Sequence, residues 1–420
     1  MGLGSSQEIS QEAQASISRS SSHIPLSLYI HIPWCIKKCP YCDFNSHKFD
    51  TKKLPEDAYI KALINDLILS LPLINNRIIQ TIFIGGGTPS LFSGESINSL
   101  LNSVRSLLSV SPFAEITMEC NPGTIDIQYL KEYRDAGVNR ISIGCQSFND
   151  RHLKILGRMH IKNDTIRAIN LAQKYFDNIN LDLMYGLPSQ TMLELEEDLN
   201  IALQFNTNHL SIYNLTIEQN TLFYKKPPQN LPDNDQCYSM QDKILEILTM
   251  HNYGRYEVSA YAKNNTTRCR HNLNYWQFGD YLGIGAGAHS KITLSDNINN
   301  TIIRQVKEKH PTTYLTSLQN IDHNIMQNID IDYVKHFAHI VEHKIISKDA
   351  LPFEFMLNSL RLIDGFENSL FTNRTFLSLN TVLTQLLKAE QKGFINLSTK
   401  NIVPTKLGID FLNEVLLLFL

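Results

Sequence analysis

Short apolar and β-branched runs recur through the first half of the chain, at residues 28–32, 81–84, 115–119, 140–143, 179–184 and 209–215. Between them, segments 57–71, 96–108, 127–136, 164–176 and 193–204 return an apolar residue every three or four positions, the spacing of one helix face. Six strand runs alternating with helical segments predict an α/β fold whose parallel sheet is covered by helices. The strand ends narrow the choice. Each run finishes in Gly, Pro or polar residues: Pro33, Gly85-Gly86-Gly87-Thr88-Pro89, Glu119 to Gly123, Gly144 to Ser147, Asp182 with Gly186, and Asn214 to Thr216. Function in β/α barrels gathers at the C-terminal ends of the strands. The pattern therefore predicts a partial (β/α)6 TIM-type barrel rather than a flat doubly wound sheet.

Beyond residue 215 the alternation weakens. Residues 235–250 read as a helix and 256–262 as a strand. A segment follows with Cys269-Arg-His-Asn-Leu-Asn-Tyr-Trp276 and the glycine-rich Gly283-Ile-Gly-Ala-Gly-Ala-His289. Residues 291–345 carry an Asn-rich stretch and no motif, which predicts a linker. From 346 to 420, helices at 353–362, 381–392 and 405–419 surround a tight 393–398 hairpin, a mainly helical, winged-helix-like domain. Residues 1–25, rich in Ser and Gln, read as a disordered tail, which leaves 26–290 as the barrel domain.

Composition sets limits on function. With 420 residues, 43% hydrophobic and 19% charged, the chain has material for a sizeable core. A net charge of −3 gives no global attraction to nucleic acid or anionic membrane. No run approaches the ~18–20 apolar residues of a membrane span, and the first residues lack the apolar stretch of a secretory signal. Seven cysteines scattered over this length do not form a secreted disulfide framework, so the expectation is a cytoplasmic protein.

Three of those cysteines, Cys35, Cys39 and Cys42, form Cys-x3-Cys-x2-Cys in the loop after the first strand. One loop thus offers three thiolates where an ordinary [4Fe–4S] site takes four. The fourth iron is left for another ligand, and such clusters do one-electron chemistry. Zinc is the competing reading, with His31 or His47 completing a Cys3His set. Structural zinc usually draws on two separated ligand pairs, and no second pair follows at zinc-finger distance.

Glycines in the Gly85-Gly86-Gly87-Thr88-Pro89 turn let backbone N–H groups approach a ligand, or merely make a tight βα turn. Glu119, Gln146, Arg158 and Asp182 lie at or just past strand ends. The acids can accept from ribose hydroxyls or an amino group, and Gln and Arg can hold a carboxylate or an adenine edge. Singly each reads as a cap or a salt bridge; gathered at one mouth they describe a nucleoside–amino-acid site. Cys120, Cys145 and Cys237 stand isolated and read as packing residues. Cys269 opens a segment in which His271, Tyr275 and Trp276 cluster, either a metalloporphyrin site or a hydrogen-bonded core corner with an anchoring Trp. His289 carries the same ambiguity.

Together, the cysteine loop, the triple-glycine turn, Gly144-Cys-Gln-Ser-Phe148, Leu156-Gly-Arg-Met-His160 and Asp182-Leu-Met-Tyr-Gly-Leu-Pro188 resemble a known family. It is the radical S-adenosylmethionine proteins of the oxygen-independent coproporphyrinogen III oxidase group. Within that group the chain is most similar to the HemW-type haem chaperones. Phe44 stands where the oxidases carry a fourth cysteine, and the Ser/Gln tail replaces their folded N-terminal extension. His271-Asn-Leu-Asn-Tyr-Trp276 matches the HNxxYW segment proposed there to bind haem.

The resemblance implies Cys35, Cys39 and Cys42 as ligands of a [4Fe–4S] cluster, with S-adenosylmethionine on the fourth iron. Tyr29, Tyr41, Gly86, Gly87, Thr88, Glu119, Gln146, Arg158, Asp182 and Thr216 would line the rest of that site. Haem would fall to His271, Asn272, Tyr275 and Trp276. The partners implied are an electron donor and acceptor haemoproteins, membrane respiratory enzymes among them. The function implied is haem transfer without coproporphyrinogen oxidase activity. The alternative is the oxidase itself, decarboxylating two propionates of coproporphyrinogen III after hydrogen abstraction. A DNA-binding role for the C-terminal domain is disfavoured by the lack of a basic stripe.

Overall fold

The computed structural model describes residues 24–49, 54–125, 127–295, 300–319 and 334–420, so the predicted tail falls outside it except for its last two residues. Twelve strands form one continuous sheet. Six run parallel and in chain order: β1 (Leu26–Ile32), β2 (Ile79–Gly86), β3 (Val110–Cys120), β4 (Arg140–Gln146), β5 (Ile179–Tyr185) and β6 (His209–Asn214). Helices α1 (Glu56–Ser70), α2 (Gly94–Leu107), α3 (Ile127–Asp135), α4 (Lys162–Ala172) and α5 (Met192–Gln204) return the chain between them. β6 pairs with a further strand instead of β1, so the barrel stays open.

Alternation along the strands divides the two faces. On β1, Leu26, Leu28, Ile30 and Ile32 are all but fully buried and join one large apolar core with Leu63 and Leu67 of α1. The other face is polar and hydrogen-bonded across strands. The Thr81 hydroxyl donates to Ser27 Oγ at 2.7 Å, Asn180 Nδ2 to Ser142 Oγ at 2.8 Å, and Ser211 Oγ to Asn180 Oδ1 at 3.0 Å. A polar interior of this kind is satisfied only while its strands stay in register.

Three expectations change. The strand expected over 256–262 is two antiparallel strands, β7 (Gly254–Glu257) and β8 (Ala260–Ala262), with β8 covering the edge of β6. The expected linker and the segment just before it contribute sheet. β9 (Asp280–Ile284) pairs parallel to β1, and β10 (His289–Ser295), β11 (Asn300–Lys307) and β12 (Ile340–Ile345) continue antiparallel from it. Their alternation is masked in the sequence because buried positions hold charges. Lys291 pairs with Asp280 at 2.9 Å, and Lys307 pairs with Asp66 at 2.6 Å with both side chains fully buried. The third change is in the C-terminal domain. It has helices Leu351–Ser359, Asn368–Thr375 and Leu383–Gln391 around a three-stranded sheet of Phe366–Glu367, Ile395–Leu397 and Asn401–Pro404. Its first strand and second helix go beyond the expectation, and the helix expected over 405–419 is two short helices, Lys406–Asp410 and Leu412–Leu416, followed by a 3-10 turn at Leu417–Phe419.

This domain has its own core, around Phe355, Phe371, Leu386 and Ile402, which Phe278 and Ile302 of the sheet domain join. It closes over the short helix Arg270–Trp276, where the Arg361 guanidinium lies 4.4 Å from the Trp276 ring centre and Ser359 Oγ donates to the Trp276 carbonyl at 3.0 Å. Ion pairs Arg304–Glu354 and Arg268–Asp364 tie the same seam. Among the described residues no helix is long and apolar enough to cross a membrane.

Candidate cofactor site

The loop leaving β1 turns over the C-terminal ends of β2 to β6 and encloses a cavity of about 380 Å3, a size suited to a small-molecule cofactor, ~300–1,000 Å3. Cys35, Cys39, Tyr41, Cys42, Gly86, Gly87, Thr88, Glu119, Gln146, Arg158, Asp182 and Thr216 all border it. These are residues from seven stretches of chain, drawn together because parallel strands end on one side of their sheet.

Each sulfur has a polar neighbour. The Thr88 hydroxyl donates to Cys35 Sγ at 3.3 Å, and Ser46 Oγ lies 3.8 Å from Cys42 Sγ. Arg158 bridges, with Nη1 3.8 Å from Cys39 Sγ and Nη2 donating to the Gly144 carbonyl at 2.9 Å. Burial pushes the Cys35 and Cys42 thiols up, and bound iron would reverse that by stabilising thiolate. Among the described residues no three His, Cys, Asp or Glu side chains gather around a single metal ion. A cube, in which each thiolate takes a different iron, does not ask for that closeness. The donor set fits such a cluster: three thiols on one loop, with hydroxyl and guanidinium donors to sulfur.

The glycine turn is required by close approach. Gly86 has φ +117°, and a Cβ there would lie 2.5 Å from the His31 ring; at Gly87 it would lie 2.5 Å from the Trp34 carbonyl oxygen. Deeper in the cavity are two carboxyl groups. Glu119 Oε2 accepts from the Gly86 N–H at 3.0 Å, and burial and then Asp182 push its carboxyl up to about 8. Asp182 is raised by burial too, although Ser142 Oγ and Asn180 Nδ2 each donate to it at 2.8 Å. Two acids in mutual repulsion are relieved by an entering ammonium, sulfonium or pair of hydroxyls. Gln146 ends β4 with φ +66°, local strain located at the cavity wall.

Other predicted residues lie elsewhere. Tyr29 is not among the residues bordering this cavity: its hydroxyl is 2.9 Å from His31 Nδ1, and it borders a second cavity together with Tyr275 and Trp276. His271 is 1% exposed and sealed in the core. Its Nδ1 is 2.8 Å from Thr81 Oγ1 and its Nε2 2.8 Å from Tyr275 Oη, its ring packs 5.1 Å from Phe83, and burial holds its pKa down to about 3. Both of its ring nitrogens therefore have hydrogen-bond partners inside the core. Asn272 is half-buried and borders neither cavity. Sequence reasoning missed Ser142, which orients Asp182; its only signal is its place two residues before Gly144 on the inward face of β4.

The Radical SAM superfamily matches residues 29–202, and the HemN C-terminal domain matches residues 346–411. The chain is 43% identical over 397 residues to the heme chaperone HemW of Escherichia coli, covering 94% of this chain and 98% of that protein. It is 44% identical over 401 residues to the HemW of Haemophilus influenzae, with the same shares covered. With the HemW of Bacillus subtilis it shares 34% over 400 residues, 94% of this chain and 99% of that protein. Among solved structures, the radical SAM coproporphyrinogen III oxidase of Escherichia coli superposes with a TM-score of 0.76 at 22% identity, covering 100% of this chain and 93% of that one, a likeness of fold.

Proposed function

Because the chain belongs to the HemW family, which its 43% identity across 98% of the Escherichia coli protein shows, we propose that it is a haem chaperone. It binds haem and passes it to acceptor haemoproteins. Cys35, Cys39 and Cys42 hold a [4Fe–4S] cluster, and the adjoining cavity takes an exchangeable S-adenosylmethionine. The observation that carries the cofactor assignment is the convergence of twelve expected residues on one cavity. When bound, the cluster supplies single electrons.

The side chains divide the work. Thr88 and Arg158 donate to cysteine sulfurs and hold the loop in position. The turn at Gly86 and Gly87 lets backbone approach the ligand. Glu119 and Asp182 meet a cationic amino group or ribose hydroxyls, giving up the proton that burial has kept on Glu119. Phe44, 62% exposed where the oxidases resembled have a fourth cysteine, offers an apolar surface in place of a ligand.

The test is anaerobic reconstitution followed by iron and sulfide analysis, S-adenosylmethionine titration, haem binding by absorbance and assay of protoporphyrinogen from coproporphyrinogen III. The proposal expects a cluster that responds to the nucleotide, haem binding and no porphyrinogen product. Product without haem binding supports the oxidase instead.

A further inference from the structure

The second cavity, about 680 Å3, lies across the cysteine loop from the first. Asp43, Phe44 and Ser46 border both, so the end of that loop is a common wall. Asn45 pins the wall, its Nδ2 donating to the carbonyls of Ala286 and Lys309 at 2.9 Å each. The glycine-rich turn before β10 is shaped by this approach: a Cβ on Gly287 would lie 2.3 Å from Asn45 Nδ2.

The cavity suits a flat apolar ring that carries carboxylates. Tyr275, Trp276, Phe278 and Tyr281 line it, with Tyr275 and Tyr281 edge to face at 4.6 Å. Trp276 keeps a buried indole N–H with no acceptor. Lys38 and Lys309 are exposed lining residues, and among the described residues neither has a carboxylate partner; Arg304 and Lys291, by contrast, are paired with Glu354 and Asp280.

Three histidines border the space. His31 is committed, with Nε2 donating to the Asn45 carbonyl at 2.8 Å and Nδ1 facing the Tyr29 hydroxyl. His47 Nε2 lies 3.2 Å from both Asn45 Oδ1 and the Lys309 carbonyl. His289 opens β10, is exposed, and among the described residues its ring has no hydrogen-bond partner. Desolvation, with Lys309 and Arg304 nearby, favours its neutral imidazole, the form that binds metal.

Resting on the haem reading above, we propose that the porphyrin occupies this cavity and not the sealed pocket of His271, with His289 as axial ligand to the iron and Lys38 and Lys309 meeting the propionates. Binding forms one iron–imidazole bond in exchange for a water or other weak axial ligand; no electron moves. An exposed imidazole holds the iron from one side and leaves the other face to an acceptor.

The full-length, anaerobically reconstituted protein is titrated with hemin, read by Soret absorbance and by low-temperature electron paramagnetic resonance of the ferric iron. His289→Ala is expected to lose the imidazole signature and weaken binding on the order of tenfold or more, with added imidazole restoring the signature. Lys309→Glu weakens binding with ligation intact, and it keeps the test alive if the first variant does not fold. Unchanged spectra and affinity in His289→Ala, or loss of the signature only in His271→Gln, overturn this site while the haem reading stands. Wild-type protein that binds no hemin overturns both.

Discussion

Glu119 offers the sharpest check on the electrostatics of the cofactor cavity. Its carboxyl is pushed up to about 8 by burial and by Asp182, against about 4.3 in an unfolded chain. The folded protein therefore keeps a proton that the unfolded chain releases, so stability is full below the unfolded value and falls as pH climbs toward 8. The largest possible slope is about 1.4 kcal/mol per pH unit, roughly 4 kcal/mol between pH 5 and 8. Glu119 is half-buried, with the cavity open to it, and solvent screening reduces this to about 2 kcal/mol. Glu119→Gln removes the titration while its amide oxygen can still accept from the Gly86 N–H. Urea unfolding of cluster-free protein under reducing conditions should show wild type losing about 2 kcal/mol relative to the variant from pH 5 to pH 8. In the same window, S-adenosylmethionine binding to reconstituted wild type should release close to one proton, read by calorimetry in buffers of different ionisation enthalpy. A difference between the two proteins that stays flat with pH refutes the assigned cause.

Gly87→Ala forces a Cβ to 2.5 Å from a backbone oxygen; it should lower iron incorporation severalfold while far-ultraviolet circular dichroism is unchanged. Asp66→Asn strands the buried Lys307 ammonium and loosens His339, 3.1 Å away, and should cost about 3–5 kcal/mol of unfolding free energy. Because Lys307 and His339 hold the Asp66 carboxyl below the usual range against its burial, wild type should lose this contribution as pH falls below about 4, whereas the variant should not.

The parallel core was legible because its strands follow a simple rule: apolar on the helix side and chemically distinctive at the C-terminal ends. The cysteine loop, the glycine turn and Glu119, Gln146, Arg158 and Asp182 were found from that rule and meet in space. What hid the rest was charge in the interior. Lys291, Lys307 and Gln305 are buried on β10 and β11, where a reader of alternation sees polar linker. Tyr29, on β1, borders the second cavity and not the first, although its hydroxyl lies near enough to the Glu119 carboxyl to feel its charge. The residues proposed for cluster and nucleotide announce themselves by spacing. His271 and His289 do not, since only burial separates a histidine with both nitrogens taken from one whose ring has no hydrogen-bond partner among the described residues.

β1 lies near the middle of the sheet, between β2 and β9, which are separated by almost two hundred residues of chain. On the ribosome, where chains emerge N-terminal end first, the strand bearing the cysteine loop has a neighbour on one flank early and on the other only after residue 284 has been made. The loop's anchors at Ala286 and Lys309 arrive later still. Iron and sulfide delivered to a nascent chain would meet three thiols on an unfinished scaffold. If the loop takes iron and sulfide as proposed, the scaffold that holds it is complete only once the chain through Lys309 has been made.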